Sequence, residues 1–203
     1  MKKRLLDRLS DISKIHSRAA FVDVEHHIKK QQGSDVFLRL ADQRYSCRAF
    51  SSRPVSAAKV QKIVEAGRLA PSARNQQPVH VWVISSDDAL SRLRTVHTCY
   101  DAPVVLLVGA KASEAWVRGC DGRNSAAVDA AIVGTHLMLA AADMDLQSVW
   151  IGSFDPLKLR AALPETEGWE IELLLPIGHA AAQTGPSELH KARKAFEDFV
   201  TEL

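Results

Sequence analysis

Residues 125–143 constrain the fold of this chain more than any other stretch. They read SAAVDAAIVGTHLMLAAAD, apolar nearly all round. A helix with apolar side chains on every side has to be enclosed by the rest of a domain, so the expected architecture is built around one central buried helix. One stripe of it holds Ala127, Ala131, Gly134 or Thr135, Met138 and Ala141 or Ala142. Small residues at that spacing let a second helix approach closely, and that helix can belong to the same chain or to a second subunit. The unbroken apolar runs are far too short to cross a bilayer, so no membrane span is expected.

The rest of the chain supplies what would enclose such a helix. Its 203 residues suffice for one domain with a sizeable core. With 46% hydrophobic and 25% charged residues the balance is that of an ordinary globular protein, and a net charge of +2 gives no reason to expect nucleic acid as a partner. Residues 1–33 are mostly polar, with Leu5, Leu6, Leu9, Ile12 and Ile15 at helical spacing, and read as an N-terminal helical extension before a domain over 34–203. Lys2, Lys3 and Arg4 could open a signal peptide, but Asp7, Arg8, Asp11 and Lys14 interrupt its apolar region. Cys47, Cys99 and Cys120 are widely spaced and form no CxxC, which argues against a disulfide framework or zinc site and for a cytoplasmic home. His97 with Cys99, and His26 with His27, lack companions at ligand spacing, so no metal is expected.

Ser34 can cap a helix through about Gln43, and Ser56 another through about Leu69 with Val60, Ile63 and Val64 facing inward. Residues 71–78 lie between prolines and form an ordered loop. Residues 79–85 and 104–109 are β-rich and read as interior strands. A polar loop or short helix over 111–124 carries Trp116. Residues 147–151 and 171–175 read as further strands, and Asp155-Pro156 starts a helix that stops at Pro164. From Ser187 the pattern suits a helix, or a mixture of helix and extended tail.

Four stretches carry chemistry. In Arg44-Tyr45-Ser46-Cys47-Arg48-Ala49-Phe50, the residues Arg44, Ser46 and Arg48 fall at every second position. An extended backbone puts them on one face, where two guanidiniums and a hydroxyl suit a phosphate monoester. In the 70–78 loop, Ser72, Asn75 and Gln77 offer donors and acceptors that fit a heterocycle edge of alternating N–H and C=O groups, or equally a turn that bonds its own backbone. In Trp150-Ile151-Gly152-Ser153-Phe154, Gly152 leaves its amide open to close approach. Near the C-terminus Lys191, Arg193 and Lys194 crowd together, as a solvated face or an anion contact.

In their order these stretches resemble the flavin mononucleotide-dependent nitroreductase family. Arg44-x-Ser46-x-Arg48-x-Phe50 resembles its opening phosphate motif, Pro71-Ser72-x-x-Asn75-x-Gln77-Pro78 its flavin-ring loop, and Trp150-Ile151-Gly152-x-Phe154 its segment under the reactive flavin nitrogen. Leu175-Pro176-Ile177-Gly178 and Arg193-Lys194 are similar to the closing part. The resemblance covers about 36–203. It implies an α+β fold with a mixed, mainly antiparallel sheet flanked by helices, in an intertwined homodimer with two FMN sites at the interface. Arg44, Ser46 and Arg193 would hold the phosphate and ribityl chain, and Arg48 would lie near the pyrimidine end. Pro71, Ser72, Ala73 and Asn75 would come from the other subunit, and Gly152 would offer its amide to N5. Tyr45, Gln77 and Ile151 are counted with the cofactor-binding set. Trp116 and Arg118 could line the substrate pocket, whereas Trp82 and Trp169 read as packing residues.

The function implied is ping-pong reduction by NAD(P)H, through flavin N5, of a small-molecule electron acceptor such as a nitroaromatic or quinone. The flavin carries the chemistry, so no protein residue is expected to be catalytic. Two other readings stay open: a specialised dehalogenase-like or flavin-cleaving enzyme, and a non-catalytic FMN-binding or sensing protein. The chain departs from the family pattern at Asp145-Leu146-Gln147, where relatives usually carry glycines, and at His179, where an aromatic is common.

Overall fold

A computed structural model describes residues 35–203. The expected helices over 1–33 and the Ser34 cap lie outside the described residues. The chain divides between Asp42 and Gln43 into two compact units. Of the first, residues 35–42 are described, and they hold nearly all of helix α1 (Val36–Gln43).

The second unit is organised by four strands: β1 (Val79–Ile84), β2 (Val104–Ala110), β3 (Gln147–Ser148) and β4 (Glu170–Gly178). They pair in the order β1-β2-β4-β3, each neighbouring pair antiparallel. A parallel bridge from Ser46 to Ser148 extends the sheet beyond β3, which makes it mixed. Helices α2 (Ala57–Arg68), α3 (Asp87–Arg94), α4 (Ala126–Asp143) and α5 (Pro156–Ala162) flank it. A short helix α6 (Phe196–Phe199) lies in an otherwise irregular C-terminal stretch. The architecture is thus α+β.

Strand periodicity decides which side chains meet which layer. Val104, Leu106, Val108 and Ala110 of β2 join Leu173, Leu175 and Ile177 of β4 in one core, with Ile63 of α2 and Ala130, Val133, Leu137 and Ala141 of α4. Val105, Leu107 and Leu174 point the other way, into a second core with Cys47, Phe50, Leu90, Leu93, Leu159 and Leu163. Every residue of β2 is buried. The sheet is therefore covered on both faces, and the 44–50 segment is anchored into the second core.

Helix α4 corrects two expectations. It is not enclosed all round: Val133, Gly134, Leu137 and Ala141 are buried, while Ala127, Val128 and Thr135 are exposed. It is also long enough and apolar enough to span a bilayer by length and composition, with a mean hydropathy of 1.3 over 18 residues. Asp129 and His136 break the unbroken apolar runs without lowering that average far. In this fold the helix packs on α2 and on the sheet. Close approach explains its small residues. A Cβ on Gly134 would stand 2.8 Å from both the Trp150 ring and Leu173, and one on Gly67 of α2 would stand 2.6 Å from Leu137. A within-chain seam thus exists on one side of the stripe.

Other boundaries moved for local reasons. Ser56, Ser86 and Asp155 cap α2, α3 and α5 as hydroxyl or carboxylate acceptors. Strand β1 is an edge strand of the described sheet and half-exposed, not interior. Strand β4 runs on through Pro176, whose carbonyl still accepts from Val149 N–H at 3.4 Å. The 147–151 strand shrinks to two residues plus a bridge between Ile151 and Leu174. Residues 111–124 form turns closed by a bridge between Val117 and Asn124.

Candidate functional site

The 44–50 segment is extended and held by backbone bonds at its middle and just past its C-terminal end. Cys47 N–H donates to the Ser148 carbonyl at 3.0 Å, and Ser51 N–H donates to the His179 carbonyl at 2.9 Å. Cys47 is fully buried. The alternation of an extended chain then turns Ser46 and Arg48 away from the core, and a cavity of about 270 Å³ opens beside them. Arg44, Tyr45, Ser46 and Arg48 form one wall of it. Ser187, Leu189, His190 and Arg193 form the other. The two sequence stretches singled out for anion binding, more than 140 residues apart in the chain, therefore meet in one cavity. Lys191 and Lys194 are not among its lining residues.

Three arginines and the hydroxyl-bearing Tyr45, Ser46 and Ser187 line the cavity, and no carboxylate is among the lining residues. Arg48 makes a long contact of 3.4 Å to the Ser46 carbonyl. The Arg193 guanidinium folds back to donate to the His190 and Ala192 carbonyls at 2.6 and 2.7 Å, which fixes the turn over 188–191 (a short 3₁₀ segment). The Tyr45 ring stands edge-on to His190, with centroids 6.4 Å apart. Burial, reinforced by the neighbouring Cys47 thiol, raises the Tyr45 phenol above its ordinary value and keeps it neutral.

The 71–77 loop stands apart from this cavity. Arg74, Asn75 and Gln77 all take positive φ, between 52° and 57°. Non-glycine residues rarely do so, and the conformation has to be held by its surroundings. Two anchors hold it. Ser72 Oγ accepts from Gln77 N–H at 2.9 Å. Asp129, 1% exposed in the first turn of α4, accepts from Ala73 N–H at 2.9 Å and from Ser125 Oγ at 2.8 Å. Pro71, Asn75 and Gln77 are left exposed, and Ser72 and Ala73 half-buried.

Gly152 is exposed, and a Cβ there would meet nothing within 4 Å, so the open amide read from the sequence has open space before it. Ile151 is buried and paired with Leu174, which fixes the strand end that leads to Gly152. Trp150, 37% exposed, lays its ring over Gly134 of α4. Trp116 is half-buried. Arg118 pairs with Asp121 through two hydrogen bonds. Neither lines the cavity. His179 supplies a backbone carbonyl to Ser51, and burial together with Arg53 and Lys59 lowers its pKa. Trp82 and Trp169 pack edge-to-face, with Lys111 over the Trp169 ring at 4.4 Å.

The sequence profile of the Nitroreductase family matches residues 41–97 and 90–179, a span that holds the Arg44 segment, the 71–77 loop and Gly152. The chain belongs to the Nitroreductase family. Members of this family are oxidoreductases. A nitroreductase-family protein of Clostridium difficile 630 is 32% identical with a TM-score of 0.76, covering 81% of this chain and 96% of that one. A provisionally named nitroreductase of Desulfovibrio desulfuricans, solved in complex with FMN, is 25% identical with a TM-score of 0.67, covering 84% and 98%. A protein of Archaeoglobus fulgidus, provisionally named NADH dehydrogenase/NAD(P)H nitroreductase, is 30% identical over 141 residues, or 64% of this chain and 75% of that one. The family fold and the observed α+β sheet agree.

Sequence reasoning missed Asp129, Ser187, Leu189 and His190. Asp129 had a signal, being an acid in the first turn of an otherwise apolar helix. The other three had none beyond their nearness to Arg193.

Proposed function

We propose that this nitroreductase-family enzyme binds FMN and uses it to pass electrons from NAD(P)H to an electron-poor acceptor such as a nitroaromatic or quinone. The observation that carries this reading is the cavity where Arg44, Ser46, Arg48 and Arg193 converge with no carboxylate among its lining residues. That donor set fits a phosphate monoester, because planar guanidiniums grip its oxygens in pairs and a hydroxyl adds a further bond. The FMN bound to the Desulfovibrio relative supports the choice of cofactor, and the name of the Archaeoglobus relative supports the reductant.

FMN, when bound, would supply the two-electron chemistry that links donor and acceptor. The protein's part is to bind, orient and tune. Arg44, Ser46 and Arg193 would hold the phosphate end, Tyr45 would wall the cavity, and Arg48 would place positive charge toward the pyrimidine end of the ring. The strand end at Ile151 would present the Gly152 N–H to the ring. Pro71, Ser72, Ala73, Asn75 and Gln77 would cover the ring in a homodimer, contributed by the other copy. Two features support that assembly: the 71–77 loop stands outside its own chain's cavity, and α4 leaves Ala127, Val128 and Thr135 uncovered. Trp116 and Arg118 would border the acceptor site, which requires the Arg118–Asp121 pair to open or to act as a unit.

FMN titration of Arg44→Ala tests the reading. Loss of one hydrogen bond to a charged group costs about 1.5–3 kcal/mol, which is roughly a ten- to hundredfold weaker Kd. An unchanged Kd refutes the assignment of the cavity to the phosphate.

A further inference from the structure

The 71–77 loop holds a shape that its own residues do not favour. Arg74, Asn75 and Gln77 stand at φ 52°, 57° and 53°, and of the three only asparagine visits that region readily. Bonds inside the loop close it on itself. Asn75 N–H donates to the Ser72 carbonyl at 2.9 Å, Gln76 N–H to the Ala73 carbonyl at 3.2 Å, and Gln77 N–H to Ser72 Oγ at 2.9 Å. None of these fixes the loop to the domain. Among the described residues, one hydrogen bond joins 71–77 to another element, from Ala73 N–H to Asp129 Oδ1 at 2.9 Å. We propose that Asp129 is a positioning residue for the flavin ring, holding the 71–77 loop, through Ala73, in the conformation that receives the ring; this rests on the FMN reading above.

The geometry makes the role an indirect one. Asp129 is 1% exposed, and its second oxygen accepts from Ser125 Oγ at 2.8 Å, so the side chain is occupied by the protein itself. It stands in the first turn of α4, which packs on α2 and on the sheet, so Ala73 is tied to the packed body of the domain. What the loop presents follows from these bonds. Ser72 Oγ takes up the Gln77 N–H as an acceptor, which leaves its hydroxyl proton to be donated outward. Asn75 and Gln77 are exposed. A ring edge of alternating N–H and C=O groups finds both donors and acceptors there. Without the tie to Asp129 the strained backbone relaxes, and only a fraction of molecules hold the loop ready. The apparent Kd is the intrinsic one divided by that fraction. Neither Asp129 nor Ala73 lines the phosphate cavity, so the loss falls on the ring end alone.

The experiment measures, by flavin fluorescence, the Kd of FMN and of riboflavin, which carries the same ring without the phosphate. Two variants delete the bond from opposite sides. Asp129→Ala removes the acceptor. Ala73→Pro removes the donor, and Ser72 already has the extended backbone, φ −132° and ψ 160°, that a following proline requires. Each should weaken both ligands by the same factor, about tenfold. The double variant should bind no more weakly than either single one, because both remove one shared bond. Asp129→Asn, whose side-chain oxygen still accepts from Ala73, should restore binding close to the wild type. Arg44→Ala should weaken FMN and leave riboflavin unchanged. Arg92→Ala controls for general destabilisation. It loses the bonds at 3.0 Å from α3 to the Ala162 carbonyl and to Glu165, and should bind both ligands as the wild type does. If Asp129→Ala does not fold, Ala73→Pro carries the test. Wild-type riboflavin affinity in Ala73→Pro overturns the inference, as does equal weakening in Arg92→Ala, which would mark a loss of stability only. If Arg44→Ala weakens FMN while Asp129→Ala and Ala73→Pro bind as the wild type does, this inference fails and the FMN reading stands. If the wild type binds no FMN, both fall together.

Discussion

Removing the Asp129 carboxylate should loosen the 71–77 loop and the start of α4 together. The carboxylate is 1% exposed and accepts two hydrogen bonds, from Ala73 N–H at 2.9 Å and Ser125 Oγ at 2.8 Å. Bonds to an ionised acceptor contribute about 1.5–3 kcal/mol each, so the two together contribute up to about 3–6 kcal/mol gross. Against this stands the cost of burying the charge, which Asp129→Ala relieves, so a net loss of about 3 kcal/mol is expected. Asp129→Asn keeps one acceptor for Ala73, and Ser125 can turn to accept from the new amide, so about 1–2 kcal/mol should be lost. Urea unfolding reads these values directly. The loop offers a local readout, because Arg74 is exposed and held at φ 52° by this anchoring. Trypsin should therefore cut after Arg74 faster in Asp129→Ala than in Asp129→Asn, and faster in Asp129→Asn than in the wild type. An Asp129→Ala protein with wild-type unfolding and unchanged cleavage at Arg74 would refute the claim that this carboxylate holds the loop.

Two further outcomes follow from the packing. Gly134→Ala gains about 1 kcal/mol in helix propensity but drives a Cβ to 2.8 Å from the Trp150 ring and Leu173. Overpacking costs about 1–3 kcal/mol, so net destabilisation with a shifted Trp150 fluorescence is expected, and a more stable variant would contradict the close approach. The native protein should expose one of its three thiols to a disulfide-exchange reagent, Cys120, since Cys47 and Cys99 are buried. Burial also pushes the Cys99 thiol up to about 12, so raising the pH to about 9 should add no second reactive thiol before unfolding.

What the sequence revealed and what it hid divide along a physical line. The Arg44–Arg48 alternation was legible because an extended chain has a fixed period of two, and Cys47, buried between the two outward-facing residues, shows it holding. The Asp155-Pro156 cap was legible because capping is local, and Asp155 accepts from Leu157 and Lys158 N–H as such a cap does. The edge position of β1 was not legible, because Val79–Ile84 looks much like β2 by composition and only long-range pairing decides which strand is flanked on both sides. Helix α4 looked enclosed because its exposed face carries Ala127, Val128 and Thr135 in place of charges. His190 was hidden among Lys191, Arg193 and Lys194, where charge density drew the reading and only the fold of the 188–191 turn selects which side chains reach the cavity.

The central claim is that the Arg44–Arg193 cavity holds the phosphate of a working flavin. The most direct test is to purify the protein, reconstitute it with FMN, and follow the visible flavin absorption under anaerobic conditions as NADH or NADPH is added. The account predicts a yellow protein that bleaches with one of the two nucleotides and recovers its colour when a quinone or nitroaromatic is supplied. A colourless protein that takes up no FMN on reconstitution would contradict it.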